Sequence, residues 1–292
     1  MIKVAFTKDQ TYRYRYRSAL NGSLTMGQGP ALPIKADSSA DAAWKIVFVD
    51  ASGNMNVDLT LTNLKTSFTG SMMPGSTTTT TTTMTTQHVQ FEVAPTGEIL
   101  SGGGSSGPPS GLASAQGLGL PGTDQFLAVL PGHAVKPGDT WTKTFTRPSP
   151  FGQGSITYTT ENRFLRYENL KSGRAAVIQT TATVPLDVSI DLQKAIAAAG
   201  AVDSPSPIPV PPPVNGQVHI QGTSSTSSTT WFDMKTDQVE RMTTVDNTDQ
   251  TTTFVGISGL SSPPTTQGAL PPELVGPQHF TGRQTLQLDL VS

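Results

Sequence analysis

Several kinds of residue are missing or scarce in this chain. It contains no cysteine, which excludes disulfide bonds, thiolate zinc sites and thiol-based catalysis. Charged side chains make up only 14% of its 292 residues, whereas a typical soluble domain carries about 25%. The net charge is −2 and no wide basic surface is indicated. Nucleic acid is therefore not expected as a partner.

The one basic cluster lies in segment 12–17, where tyrosine and arginine alternate. Such a segment can bind single-stranded nucleic acid, because bases stack on the rings. The same alternation is typical of a β-strand that has tyrosines on one face and arginines on the other. Since no wider positive field surrounds the cluster, we favour the strand.

Long apolar runs are also missing, so no transmembrane segment is predicted. Residues 1–4 run directly into strand-like sequence without a secretory leader. The low charge and the abundance of Thr, Ser, Gly and Pro favour an extracytoplasmic protein, periplasmic, cell-surface or secreted, whose leader is absent from this chain. A cytosolic protein is the alternative.

Threonine supplies most of the polar surface, with 43 residues, and 28 glycines and 23 prolines supply turns. Threonine is β-branched and suits a pleated surface. Long helical patterns are nearly absent, and the sequence therefore predicts an all-β fold. One short helix is expected near residues 190–199, where alanines follow Asp191 and Gly200 ends the run.

The strand patterns predict two similar halves of long, curved antiparallel strands, arranged as a sandwich or a half-barrel. The first half covers residues 1–100, a Gly/Ser/Pro-rich linker or loop covers 101–129, and the second half covers 130–292. Within the second half, Pro-rich loops are expected at 203–214 and 261–277.

The turn before the second half has an explicit physical basis. Pro137 fixes φ, Gly138 can adopt a positive φ, and the carboxylate of Asp139 can accept hydrogen bonds from the turn backbone. We expect Trp141 to follow as the first inward residue of a strand, and Trp44 and Trp231 to be core residues of other strands.

Two local signals concern the polar segments. Asn21-Gly22 is typical of a tight turn between strands. The seven threonines Thr77–Thr83 are compatible either with a disordered tract or with a long polar strand. Because threonine has a high β-propensity and proline is missing from the run, we favour the strand.

Sites for chemistry are not indicated. None of the four histidines, His88, His133, His219 and His279, has metal-ligand spacing. The chain has no Gly-x-Ser-x-Gly motif, and the glycines of segment 102–107 lack the Lys-Ser/Thr ending of a phosphate loop. No catalytic residue, cofactor or metal is therefore predicted.

Three short motifs carry a resemblance. They are a first strand containing Gln10-Thr11-Tyr12-Arg13-Tyr14, a central Leu130-Pro131 followed by the segment 135–141, and a late Trp231-Phe232-Asp233. With these the chain resembles uncharacterised exported proteins and lipoproteins of bacteria. That family implies no activity, and the lipidated cysteine of a lipoprotein is absent here. The start of the chain, Phe6 to Tyr16, is also similar to large lipid-transfer proteins of the vitellogenin type, and bacterial lipoprotein carriers have comparable curved sheets.

The expected function is accordingly non-enzymatic: a cell-envelope protein with a structural, binding or self-associating role, in which Thr-rich strand edges pair with a partner strand or a second copy. The alternative is a carrier of lipid or another hydrophobic ligand within the curved sheet. A hydrolase is the third hypothesis.

We predict that Gly138→Val and Trp141→Ala each destabilise the protein. The valine cannot readily adopt a positive φ, and loss of the indole costs roughly 3–5 kcal/mol if the ring is buried. Thermal denaturation measures both effects. Unchanged melting temperatures in both variants would contradict this role of the turn.

Overall fold

The computed structural model describes residues 6–73, 76–103, 128–148, 155–191, 215–258 and 276–291. The described part consists of strands and connecting turns, which confirms the all-β prediction. The strands are β1 (Thr11–Met26), β2 (Leu32–Val49), β3 (Met55–Met73), β4 (Ser76–Val93), β5 (Ile99–Gly103), β6 (Thr140–Pro148), β7 (Ser155–Asn169), β8 (Arg174–Asp191), β9 (Asn215–Asp233), β10 (Val239–Ser258) and β11 (Gln278–Leu290).

These strands form one antiparallel sheet in the order β5-β4-β3-β2-β1-β11-β10-β9-β8-β7-β6. Strands that follow one another along the chain lie side by side, except that β5 and β6 form the two edges. The first and last strands pair at the centre, from Tyr14↔Leu290 to Met26↔Gln278. The two predicted halves are therefore parts of a single sheet. Because every described pairing is antiparallel, β5 and β6 run in the same direction and cannot close the sheet by pairing antiparallel to each other.

Segment 12–17 forms the start of β1 and has the predicted alternation. Tyr12, Tyr14 and Tyr16 are buried, while the arginines between them are exposed. The tyrosines belong to a core cluster drawn from both ends of the sheet, so the sheet curves around it. Its large, fully buried members are Tyr14, Trp44, Ile46, Met55, Leu59, Leu61, Leu64, Phe164, Ile178, Phe232 and Met242.

A second apolar cluster forms where β7 and β8 separate. Their pairing extends only to Thr160↔Ala182. Beyond that point Tyr158 stacks on Phe145 at 5.3 Å between ring centroids. These rings pack with the buried side chains of β8 and β9, namely Val184, Leu186, Val188, Ile190 and Val218.

The central turn has the predicted geometry. Gly138 has a φ of 96°, the amide of Asp139 donates to the carbonyl of Lys136, and the amide of Lys136 donates to the Asp139 carboxylate at 2.9 Å. Trp141 packs only partly against the core and donates from Nε1 to the carbonyl of Val129. We therefore expect Trp141→Ala to cost less than full burial of the indole would imply.

The other two tryptophans occupy different environments. Trp44 is fully buried and contacts Tyr14 and Phe91, with ring centroids 5.1 and 5.6 Å away. Trp231 is half-buried on the opposite face of the sheet, and its neighbour Phe232 supplies the core ring.

Asn21-Gly22 does not form the predicted turn. Both residues lie inside β1, and the chain turns later, where Gly27 has a φ of 55°. Gly22 is needed for close packing, because a Cβ there would lie 2.7 Å from the carbonyl oxygen of Thr281 and 3.0 Å from the Phe280 ring. The predicted turn was wrong because Gly22 lies inside the strand, where its missing side chain leaves space for the Phe280 ring and the backbone of Thr281.

Other predicted segments are only partly described. Ile190 and Asp191 end β8 rather than starting a helix, and residues 192–199 lie outside the described residues. The Pro-rich loop 203–214, most of the loop 261–277 and residues 104–127 of the predicted linker also lie outside them. In the described part of the linker, 101–103 end β5 and 128–129 are buried against the clusters.

We predict that Gly222→Ala destabilises the protein by about 2 kcal/mol or more. Gly222 has a φ of 153° in β9, and a Cβ there would lie 2.1 Å from the carbonyl oxygen of Asp249 on β10. Gly132→Ala is the matched control, because a Cβ at Gly132 meets no atom within 4 Å. Equal melting temperatures for the two variants would contradict this packing.

Candidate functional site: the open edge of β4

One long stretch of strand has a neighbour on only one side. β4 pairs with β3 along nearly its whole length, from Met55↔Val93 to Met73↔Ser76. On its other side, β5 pairs with it only over Gln90–Val93. Among the described residues, segment 76–89 of β4 is thus an open strand edge, with half of its backbone N–H and C=O groups directed away from the sheet.

The open edge contains the threonine run. Thr77–Thr83 is part of β4, and every one of its side chains is exposed. From the sequence, this run could be a strand, which we favoured, or a disordered tract. In the structure it is a strand. Seven residues of strand present an edge about 23 Å long.

This edge lacks the residue types that usually protect an edge strand from pairing. Natural edge strands commonly carry charges, especially lysine, or proline, since both hinder the approach of another strand. Segment 76–89 contains no Asp, Glu, Lys, Arg or Pro. Its single titratable side chain is His88, which lies 3.1 Å from the hydroxyl of Thr60 on β3.

The opposite edge, β6, is different. It carries Lys143, Arg147 and Pro148 within nine residues. Lys143 forms an ion pair of 3.1 Å with Glu98, next to β5, so the two edge strands approach each other at this end. The amide of Leu130 also donates to the carbonyl of Thr96 there. Of the two edges in the described part of the sheet, the β4 edge alone combines length, exposure and neutrality.

Threonine and serine hydroxyls bridge many neighbouring strands of this sheet. Such cross-strand pairs contribute to the pairing of strands. Four partly buried or exposed examples are Ser23–Thr281 at 3.0 Å, Thr69–Thr79 at 3.1 Å, Thr144–Thr159 at 2.9 Å and Thr146–Thr157 at 3.1 Å. The open edge exposes threonine hydroxyls of the same kind as those that form hydrogen bonds between neighbouring strands elsewhere in the sheet.

The face of the sheet opposite the core forms an open trough. Two adjoining cavities of about 710 and 660 Å³ lie over the central strands. Residues that line them include Arg17, Lys65, Asn247 and Asp249. The carrier hypothesis needs a large apolar cavity, and it stays a prediction.

Titratable side chains on that face form separate pairs. His219 lies 2.8 Å from Asp187, and His279 lies 2.7 Å from Asp249. His279 is part of β11, not of the preceding loop as its position in the sequence suggests. No group of three or more metal-ligating side chains occurs in the described residues. These pairs alone do not form a catalytic or metal centre.

Among the described residues, Asp246 is the one strongly buried carboxyl group with a perturbed pKa. It lies on the core-facing side of β10 with 3% of its surface exposed. Burial raises its pKa above the usual value, and a hydrogen bond from the hydroxyl of Thr226 partly offsets the effect. Its other cross-strand neighbour, Gln284, is uncharged.

The sequence pattern did not reveal this inward polar row. Thr244, Asp246, Thr248 and Gln250 are all buried, although the segment is mostly polar. Their spacing of two from the buried Met242 is the signal that places them on the inner face. The predicted turn residues Pro137, Gly138 and Asp139 directly precede the edge strand β6. The three tryptophans lie on β2, β6 and β9, not on β4: Trp44, Trp141 and Trp231.

No known family model matches this chain, and no curated protein has significant similarity to it. Among the described residues, none forms a helix long and apolar enough to span a membrane. The open edge therefore has to be interpreted from its own chemistry.

We predict that Asp246→Asn raises the melting temperature at neutral pH. The pKa of the carboxyl group is higher in the folded than in the unfolded chain, so its ionisation opposes folding. This cost is absent below the unfolded pKa of about 3.9 and grows as pH rises towards the folded value.

The gain in melting temperature should therefore shrink to zero in acid. Asp249→Asn is the control, because the Asp249 side chain is 68% exposed. A variant Asp246→Asn that is less stable than the parent at neutral pH would contradict the account.

Proposed function

We propose that this is a non-enzymatic binding protein that accepts an extended strand at the open edge of β4. The proposal rests on the neutral, proline-free segment 76–89, which lacks a strand neighbour on one side among the described residues. An extended partner would extend the sheet through main-chain hydrogen bonds, as in other cases of strand addition.

The core supports a role in binding at the surface. The fully buried side chains of the main cluster, which include Trp44, Phe164 and Phe232, are less than 2% exposed, so the core around them is closely packed. A rigid, filled sheet holds β4 in the extended conformation before a partner arrives, which lowers the entropy cost of pairing.

The proposed setting is the cell envelope or the exterior of a bacterial cell, as the resemblance to exported proteins implies. Low charge, the absence of cysteine and a threonine-rich surface are consistent with that setting. There, a partner could be an extended segment of another envelope protein.

A synthetic peptide of alternating threonine and valine, labelled with a fluorophore, tests the proposal. We expect fluorescence anisotropy to rise when dilute protein is added, because the peptide pairs with β4. The matched control peptide has the same sequence with every backbone amide N-methylated, which removes the hydrogen-bond donors of both strand edges.

The control peptide should bind at least tenfold more weakly, since several main-chain hydrogen bonds of about 1 kcal/mol each are lost. Equal binding of the two peptides, or binding of neither, would contradict strand addition at this edge.

A further inference from the structure

We infer that the strand that occupies the open edge is β4 of a second copy of this chain, paired antiparallel about a two-fold axis near Thr80. This inference rests on the proposed function and names its partner. The product would be one continuous sheet built from two molecules.

The composition of the edge is self-complementary. In antiparallel pairing about Thr80, Thr77 lies opposite Thr83 and Thr79 lies opposite Thr81, so threonine meets threonine throughout the run. The sheet already joins β3 to β4 by such a hydroxyl pair, Thr69–Thr79 at 3.1 Å. Because the run contains no formal charge, the two copies bring no like charges together.

Among the described residues, nothing pairs with the outer side of segment 76–89, so a second copy can pair there. β5 occupies the β4 edge only from Gln90 onwards. With Thr80 at the axis, the partner strand lies along 76–84, away from β5. Two edges of the same strand then satisfy each other's open N–H and C=O groups.

The asymmetry between the two sheet edges limits the assembly to two copies. A pairing of β4 with itself is isologous and closes on itself. Growth beyond a dimer would need a second open edge, but β6 carries Lys143, Arg147 and Pro148. The edges therefore favour a dimer over a filament.

A charge-swap experiment on the full chain tests the inference. In the proposed register, Lys at 79 and 81 would face Lys at 81 and 79 of the partner, so Thr79→Lys/Thr81→Lys should be monomeric. Thr79→Glu/Thr81→Glu should also be monomeric. An equimolar mixture of the two should form a dimer, because each lysine then faces a glutamate, and salt should weaken it.

Sedimentation equilibrium from nanomolar to high micromolar concentration measures the mass. The parent should approach twice the chain mass of 30.7 kDa as concentration rises. Thr144→Lys/Thr146→Lys, on the exposed face of β6, is the matched control and should dimerise like the parent. Melting curves of all variants establish that they are folded.

A parent that stays monomeric at the highest concentration would overturn the inference. Dimers of the lysine variant alone, or a mixture that stays monomeric, would overturn it as well. If the parent is monomeric but binds the threonine–valine peptide, the edge still accepts a strand and only its assignment to a second copy fails. If neither self-association nor peptide binding occurs, the proposed function fails too.

Discussion

The pairing of β1 with β11 is the constraint on which the rest of the structure depends. It joins the beginning and the end of the described chain at the centre of the sheet, from Tyr14↔Leu290 to Met26↔Gln278. All other described strands follow their sequence neighbours outward from this pair, five on one side and six on the other, counting β1 and β11. The same pairing leaves β5 and β6 as the edges, and so determines which strands remain available to a partner.

Curvature and packing then distinguish the two faces. The inner face carries the tyrosines of β1 and the fully buried Trp44, and residues from both sides of the central pair share one core cluster. Several buried polar side chains, including Asp246 and Gln250, lie on that same face. The opposite face carries the arginines of β1 and forms the open trough.

Much of this architecture could be predicted from particular residues. The Tyr/Arg alternation of 12–17 fixes the faces of β1, and Pro137-Gly138-Asp139 fixes the turn before β6. Local patterns could not reveal which strands are neighbours, because β1 and β11 are joined by contacts between the two chain ends. The turn predicted at Asn21-Gly22 was wrong for the same reason. A glycine is needed at position 22 because Thr281 and Phe280, which are distant in sequence, pack closely against it. The open edge could be recognised as Thr-rich, but only the strand order shows that segment 76–89 has no second neighbour among the described strands.

Residue-resolved amide hydrogen exchange of Thr77–Thr83 tests the central claim most directly. If the β4 edge is open, alternate amides of this run exchange rapidly in a dilute monomer, while the amides between them, bonded to β3, are protected. Addition of the threonine–valine peptide should then slow the rapid set. Uniformly slow exchange across Thr77–Thr83 in the dilute monomer would show that the edge is already covered, and would contradict the account.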